Sequence, residues 1–154
     1  MRTKRHRTRK NRSSSSLHSF NNRSSLHSFK KDIAITFLEM LLMVKLYHWK
    51  THSFAVHKAT DELYTKLNAN IDSFIEILLG KSGSRIDLMS NHSVRLVDLR
   101  SEESLKREIE TFKHYLVNLE HNDAMKSMSN TDLFNIRDTI LGDMNQFLYL
   151  LTFK

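Results

Sequence analysis

The chain contains no proline and only three glycines among its 154 residues. Both residue types interrupt helices, and both are frequent in the turns that join strands. A β-sandwich or barrel needs a turn signal roughly every 8–12 residues, which excludes those classes here. The sequence instead predicts long helices joined by few turns. Gly80 and Gly83, the only closely spaced glycines, fit neither the Walker nor the Rossmann phosphate-binding motif.

The absence of cysteine limits the chemistry of any site. It excludes a disulfide framework, a thiolate metal site and a thiol nucleophile, so a metal ion would have to be bound by histidine and carboxylate side chains. The longest apolar stretch, from Ile33 to Trp49, is interrupted by Glu39 and Lys45. That stretch is too short and too charged to span a membrane.

Positive charge is concentrated at the N-terminus. Residues 1–31 hold ten basic residues and no acidic one, whereas residues 32–154 hold 14 basic and 17 acidic residues, a net charge of −3. The first segment is also serine-rich and contains the hexapeptide SSLHSF twice. Because so few apolar residues cannot offset the entropy of ordering, we predict a disordered basic tail over 1–31 and a folded body over 32–154.

Three roles for this tail stay open: a solubilising segment, a nucleic-acid-binding segment, or a targeting signal. The charge lies mainly in the first dozen residues without an amphipathic period, which favours nucleic acid or a nuclear signal over a transit peptide. An intracellular, soluble protein of a nucleoid, nucleus or virus particle is expected, not a secreted one. The residues predicted to contact nucleic acid are Arg2, Lys4, Arg5, Arg7, Arg9, Lys10 and Arg12.

Apolar residues recur at helical spacing through the body and predict four helices, over about 32–50, 53–79, 101–121 and 131–152. Gly80 to Gly83 is predicted to end the second helix. Ser101, followed by two glutamates, is predicted to begin the third. The long stretch over 80–100 leaves room for a crossover, and a short connection makes the last two helices antiparallel. The expected fold is all-α, a four-helix bundle.

The second predicted helix carries four potential metal ligands on one stripe. His57, Asp61, Asp72 and Glu76 fall at roughly 0°, 40°, 60° and 100° around the helix axis. Imidazole and carboxylate ligands suit iron, manganese or zinc. A charged stripe on a long helix is also typical of a solvated face, so the spacing alone leaves both interpretations open.

Helix length restricts the metal interpretation. Asp61 and Asp72 lie roughly 16 Å apart along the axis, so one helix cannot bring both to one metal ion. Either the stripe forms two unrelated sites, or its Asp72/Glu76 end meets the His57/Asp61 end of a second, antiparallel copy across a two-fold axis.

The first predicted helix adds a histidine at its end, in the sequence Tyr47-His48-Trp49. His48 lies nine residues before His57, which on one continuous helix would place the two imidazoles on opposite sides. A turn at about 50–53 is needed for them to converge. Taken alone, His48 is expected to be an ordinary helix-end histidine, and Trp49 a core residue.

Three short motifs together resemble Dps, the DNA-binding proteins from starved cells, which are dodecameric mini-ferritins. The motifs are His48-Trp49, then Phe54-x-x-His57-x-x-x-Asp61, then Asp72-x-x-x-Glu76. The resemblance implies a ferritin-like bundle with an iron ferroxidase centre between subunits. One subunit would supply His48, His57 and Asp61, its two-fold partner would supply Asp72 and Glu76, and Trp49 would lie near the metals. The chain is also similar to ferritin-like proteins of large DNA viruses.

The resemblance implies a homo-oligomer, from a two-fold dimer up to a dodecamer, and DNA binding by the basic tail. The expected function is oxidation of bound Fe(II) by hydrogen peroxide or oxygen. Two alternatives are kept. One is a non-enzymatic nucleic-acid-associated or particle-structural protein on a ferritin-like bundle. The other is a zinc or manganese ion that stabilises the dimer interface without redox turnover.

Overall fold

The computed structural model describes residues 14–88 and 93–153, with side chains from residue 25 onward. These residues form five α-helices and a 3-10 turn, and no strand. The all-α fold class is therefore confirmed. The elements are α1 (Ser14–Lys50), α2 (Phe54–Ser82), α3 (Glu102–Asn118), the 3-10 turn (Leu119–His121), α4 (Asp123–Lys126) and α5 (Thr131–Leu150).

α3 starts after Ser101 and α2 ends within 80–83, as predicted, although Gly80 itself lies inside α2. The hydroxyl of Ser53 accepts a hydrogen bond from the Val56 amide at 3.3 Å and caps the start of α2. The helix ends at Gly83, whose φ of 63° lies in the left-handed region that favours glycine. Ser101 and Ser104 form a reciprocal capping box at the start of α3. The short α4 is an addition to the predicted elements.

The start of α1 differs from the prediction. The disordered tail is predicted to extend to residue 31, but α1 already begins at Ser14. Phe29 and Ile33 are buried in the core, with Leu26 packed against it. These apolar residues are few but stand at helical spacing, so this part of the chain is anchored by packing that composition alone does not show. Residues 1–13 lie outside the described residues.

Neighbouring long helices run antiparallel. α1 and α2 are joined by the three-residue turn 51–53, so they reverse direction directly. Side-chain contacts fix the direction of the other helices: Lys66 to Gln146 and Lys81 to Asp132 between α2 and α5, and Lys106 to the Leu151 carbonyl between α3 and α5. α2 and α3 therefore point the same way, and the chain must return along the molecule between them.

That return is made by the crossover segment, residues 83–101, whose described residues contact α1 at three points between Lys30 and Lys50. At its start, the buried Lys30 ammonium donates to Ser84 and to the Arg85 carbonyl. Midway, the Glu39 carboxylate accepts from the Arg95 amide at 2.9 Å. At its end, Lys50 pairs with Asp98 and lowers the pKa of that carboxyl. The predicted crossover is therefore a non-helical segment in its described residues, 83–88 and 93–101.

The four long helices and α4 bury their apolar faces in one core. Its largest fully buried side chains include Phe37 and Phe74, whose rings meet edge to face with centroids 5.3 Å apart. Leu105 and Leu133 extend this core into α3 and α5. Within the described ranges, no helix is both long enough and apolar enough to cross a membrane.

Candidate metal centre

Two histidines meet at the turn between α1 and α2. Nδ1 of His48 lies 3.0 Å from the His57 carbonyl oxygen, and Nδ1 of His57 lies 3.1 Å from the His48 carbonyl oxygen. The two rings are stacked, with centroids 3.9 Å apart and planes inclined by 22°. The predicted turn is present, and it brings together two imidazoles that a continuous helix would hold apart.

These hydrogen bonds fix the tautomer of both rings. A carbonyl oxygen can only accept, so Nδ1 of His48 and Nδ1 of His57 each carry the proton that is donated. In a neutral imidazole, Nε2 then holds the free lone pair. A backbone carbonyl that fixes a histidine in this way is the usual support of a metal-binding imidazole. The turn therefore presents two Nε2 atoms in the form that binds a metal ion.

Asp61 lies beside one of these two imidazoles, and we call His48, His57 and Asp61 together the histidine cluster. The Asp61 carboxylate oxygen lies 3.9 Å from Nε2 of His48. Two bonds of about 2.1 Å each can span that separation around one metal ion. The His48 side chain is 9% exposed, whereas the Asp61 side chain is 52% exposed. A buried, fixed imidazole thus faces a carboxylate that is free to adjust its position.

Asp72 and Glu76 are not part of this cluster within one chain. Both side chains lie on α2, on the same stripe as Asp61 but at the far half of the helix. Among the residues that the structure describes, no three histidine or carboxylate side chains come together closely enough to hold a metal ion. The prediction that these two carboxylates act on a second copy therefore stays a prediction.

Trp49 is not a core residue, which corrects the expectation from its sequence context. Its side chain is 68% exposed. It lies on the outer side of α1, where the ammonium of Lys45 is 5.9 Å from its ring centroid and 4.6 Å from that of Tyr64. Trp49 ends a long apolar stretch, and such a stretch does not reveal which side of the helix faces solvent.

An exposed apolar surface lies on the two helices that supply the histidine cluster. We call it the α1/α2 face; it consists of Leu38, Leu42, Trp49 and Phe54. Phe54, on the first turn of α2, is 76% exposed. At about 100° per residue, Phe54 falls on the same stripe of α2 as Asp61 and Asp72. Large apolar side chains exposed together commonly mark a contact surface for another protein.

Sequence reasoning missed Thr60, which supports the cluster from within. Thr60 is fully buried, and its hydroxyl donates to the Val56 carbonyl at 2.8 Å. The same oxygen lies 3.3 Å from Nδ1 of His48 and can accept from it. The sequence did contain a signal for Thr60, which lies about one helical turn after His57 on the apolar side of the predicted helix. A buried hydroxyl must find a polar partner, and the nearby histidines are candidates.

The residues predicted to contact nucleic acid lie outside the described residues, so the structure gives no account of them. These are Arg2, Lys4, Arg5, Arg7, Arg9, Lys10 and Arg12.

Fold and site together define an all-helical protein with a paired-histidine cluster at a helix turn. The chain belongs to DUF5856, a family of unknown function, whose family model matches residues 48–151. The matched region begins at His48 and contains all five predicted ligands. No curated protein and no solved structure matches the chain.

Proposed function

We propose that this protein is a ferritin-like four-helix bundle that binds Fe(II) as its substrate between two copies of the chain and oxidises it. The observation that carries the proposal is the histidine cluster. Its two imidazoles are fixed by backbone carbonyls with Nε2 free, and a carboxylate faces one of them. The helix directions and the long crossover also agree with the expected bundle.

The donor set fits iron. His48, His57 and Asp61 would supply two nitrogens and one oxygen from one copy, and Asp72 and Glu76 would supply carboxylates from the other. Mixed imidazole and carboxylate ligands bind Fe(II), and the anionic oxygens favour the more highly charged Fe(III). The ligand set therefore makes the bound ion easier to oxidise.

The reaction has a simple balance. Two Fe²⁺ ions each give one electron to hydrogen peroxide, whose O–O bond breaks as it takes two protons from solvent and leaves two water molecules. The products at the protein are two Fe³⁺ ions. The protein contributes by holding the ions at fixed imidazoles and carboxylates, so that both electrons are delivered at one place.

The basic N-terminal segment would bring the iron chemistry close to nucleic acid. Residues 1–12 carry seven basic side chains and no acidic one. Such a segment binds polyanions by releasing condensed counterions, with an affinity that falls steeply with salt. We propose that it holds nucleic acid next to the folded body, where removal of iron and peroxide would limit radical damage.

Anaerobic titration with Fe²⁺, followed by hydrogen peroxide, tests the proposal. The wild type should bind iron saturably and develop ferric absorbance rapidly. Asp72→Ala/Glu76→Ala should abolish both while leaving the helical circular dichroism unchanged, because neither side chain is buried. Glu110→Ala/Asp138→Ala is the matched control, since it removes two carboxylates outside the core from α3 and α5.

Three results separate the alternatives. The iron site is supported if the control variant binds and oxidises iron as the wild type does while Asp72→Ala/Glu76→Ala does not. Equal iron oxidation by the wild type and by Asp72→Ala/Glu76→Ala would show that the ligand assignment is wrong. Binding of zinc or manganese with a rise in melting temperature, but without iron oxidation, would identify a structural metal site instead.

A further inference from the structure

The first long helix begins close to the basic N-terminal segment. α1 starts at Ser14, two residues after Arg12, the last of the seven basic residues predicted to contact nucleic acid. Farther along α1, Phe29 is buried in the core, and the Lys30 ammonium donates to the Arg85 carbonyl. The basic segment therefore precedes a helix whose later turns are anchored in the folded body.

The sequence of this segment allows the helix to be extended. Residues 1–31 contain neither proline nor glycine, and arginine and lysine are good helix formers. An isolated helix of a dozen residues is marginal in water, because its first turn is costly to form. Adding turns to an existing helix avoids that cost, so α1 can serve as the nucleus for residues 2–13.

Positive charge opposes this extension in the absence of a polyanion. Arg5 and Arg9 stand four residues apart, and Arg9 and Arg12 stand three apart, spacings at which like charges on a helix repel each other. No acidic residue lies in the first turn of α1 or before it, and cations near a helix N-terminus interact unfavourably with the helix dipole. Phosphate groups around the segment would neutralise these charges, so helix formation and polyanion binding favour each other.

We propose that residues 2–13 fold as a continuation of α1 when they bind duplex DNA, and that the new turns lie in the major groove. The inference rests on the proposed function in taking nucleic acid as the partner of the basic segment. One continuous helix would then connect the DNA with the folded body. Because that helix is anchored at Phe29 and Lys30, the duplex would be held in a defined orientation.

The distribution of the basic side chains favours a groove over a flat surface. At about 100° per residue, the seven of them would surround the helix with no gap wider than about 80°. The major groove of B-DNA, about 12 Å wide, admits an α-helix and places phosphates of both strands beside it. The seven side chains belong to Arg2, Lys4, Arg5, Arg7, Arg9, Lys10 and Arg12.

Two other polyanions fit the segment less well. A helix that lies on a membrane surface needs an apolar face, and residues 2–13 contain no apolar side chain. Duplex RNA has a deep and narrow major groove that side chains cannot read. Duplex DNA is therefore the partner that this segment fits.

Far-ultraviolet circular dichroism of the full chain, with and without a short blunt-ended DNA duplex, measures the gain of helix. After subtraction of the DNA spectrum, the wild type should gain about 12 helical residues at saturation, which is the length of the segment 2–13. The variant that lacks residues 2–12 should gain none. A wild type that binds the duplex without any gain of helix would overturn the inference.

Ser15→Pro tests the continuity with α1. In the free protein, position 15 lies in the first turn of α1, where the backbone N–H has no helical partner and proline is tolerated. In the extended helix the same proline would stand in the interior, where it removes the hydrogen bond to the Asn11 carbonyl and clashes with that group. Ser15→Pro should therefore melt as the wild type does but bind duplex DNA about 10–100-fold more weakly. Ser15→Ala has the same charge and should bind as the wild type does.

The inference and the proposed function can fail separately. Equal affinities of Ser15→Pro and Ser15→Ala for the duplex would overturn the helical extension and leave nucleic-acid binding by the tail in place. No binding of the duplex by the wild type would remove the nucleic-acid part of the proposed function, and the inference with it. An equal gain of helix with duplex RNA, or with vesicles of phosphatidylserine and phosphatidylcholine, would overturn the assignment of duplex DNA as the partner.

Discussion

His48 and His57 hydrogen-bond to each other's backbone: Nδ1 of each ring donates to the carbonyl oxygen of the other residue, at 3.0 and 3.1 Å. The three-residue turn between α1 and α2 is what allows this exchange, since it reverses the chain between the two histidines. The position of both rings, their tautomers and the entry into α2 therefore depend on one another. A change to any of them should alter the proposed metal site.

Thr60→Val is expected to weaken metal binding without unfolding the protein. Valine fills the same space but removes the hydroxyl that lies 3.3 Å from Nδ1 of His48. Loss of a group that supports a metal ligand typically lowers affinity by about 10–100-fold. Titration with Mn²⁺ or anaerobic Fe²⁺ would measure the change. Thr60→Ser keeps the hydroxyl and should retain most of the affinity; equal losses in the two variants would point to packing instead.

Lys30→Met should destabilise the fold. The Lys30 ammonium is buried and donates to Ser82, Ser84 and the Arg85 carbonyl, where α2 ends and the crossover begins. Methionine cannot make these hydrogen bonds, and a hydrogen bond to a charged group contributes about 1.5–3 kcal/mol to stability. Urea denaturation would measure the free energy of unfolding. Lys58→Met, on the exposed side of α2, is the control and should change it little.

Stability should fall between pH 10 and pH 12 because of Tyr115. Burial raises its pKa from 10.0 to about 12, since the neutral phenol is favoured inside the fold. Its contribution to stability is therefore fully present below pH 10, where the unfolded chain is also neutral, and is lost as the pH rises through about 12.

Urea midpoints at about pH 9 and about pH 11.5, on either side of the unfolded tyrosine's pKa, would show this effect. The wild type should lose more stability across that interval than Tyr115→Phe, which cannot ionise. The comparison between the two proteins removes the contribution of lysines and of the other tyrosines, which titrate in both. An equal loss in the two proteins would mean that Tyr115 does not contribute.

Deletion of residues 2–12 should weaken nucleic-acid binding and make it less dependent on salt. The segment holds all seven basic residues predicted to contact phosphates. For duplex DNA, each phosphate that the protein no longer neutralises reduces the salt slope of log K by about 0.9. Fluorescence anisotropy with a labelled duplex across a salt series would measure both quantities. A variant with residues 2–12 in scrambled order keeps the charge and should bind as the wild type does; weak binding by that variant would argue for a specific motif.

Much of the local structure could be predicted because it depends on residues that are close in sequence. Ser101 caps α3, Gly83 ends α2, and the stripe that carries Asp61 and Asp72 follows from helical spacing. Helical spacing also showed that a turn is needed between His48 and His57, because nine residues of continuous helix would place them on opposite sides. The predicted tail boundary was wrong because a few apolar residues can anchor a helix when a core is available to receive them.

The sequence by itself determined the helical class, the helix caps and which potential ligands share one face of α2. Each of these depends on hydrogen bonds and side-chain spacing within a turn or two of helix. Only the tertiary structure decided that Phe29 packs in the core, that Trp49 faces solvent and that the crossover contacts α1. These features depend on contacts between residues far apart in the chain, such as Lys30 with Ser84 and Glu39 with Arg95, whose formation is decided by the packing of the whole core.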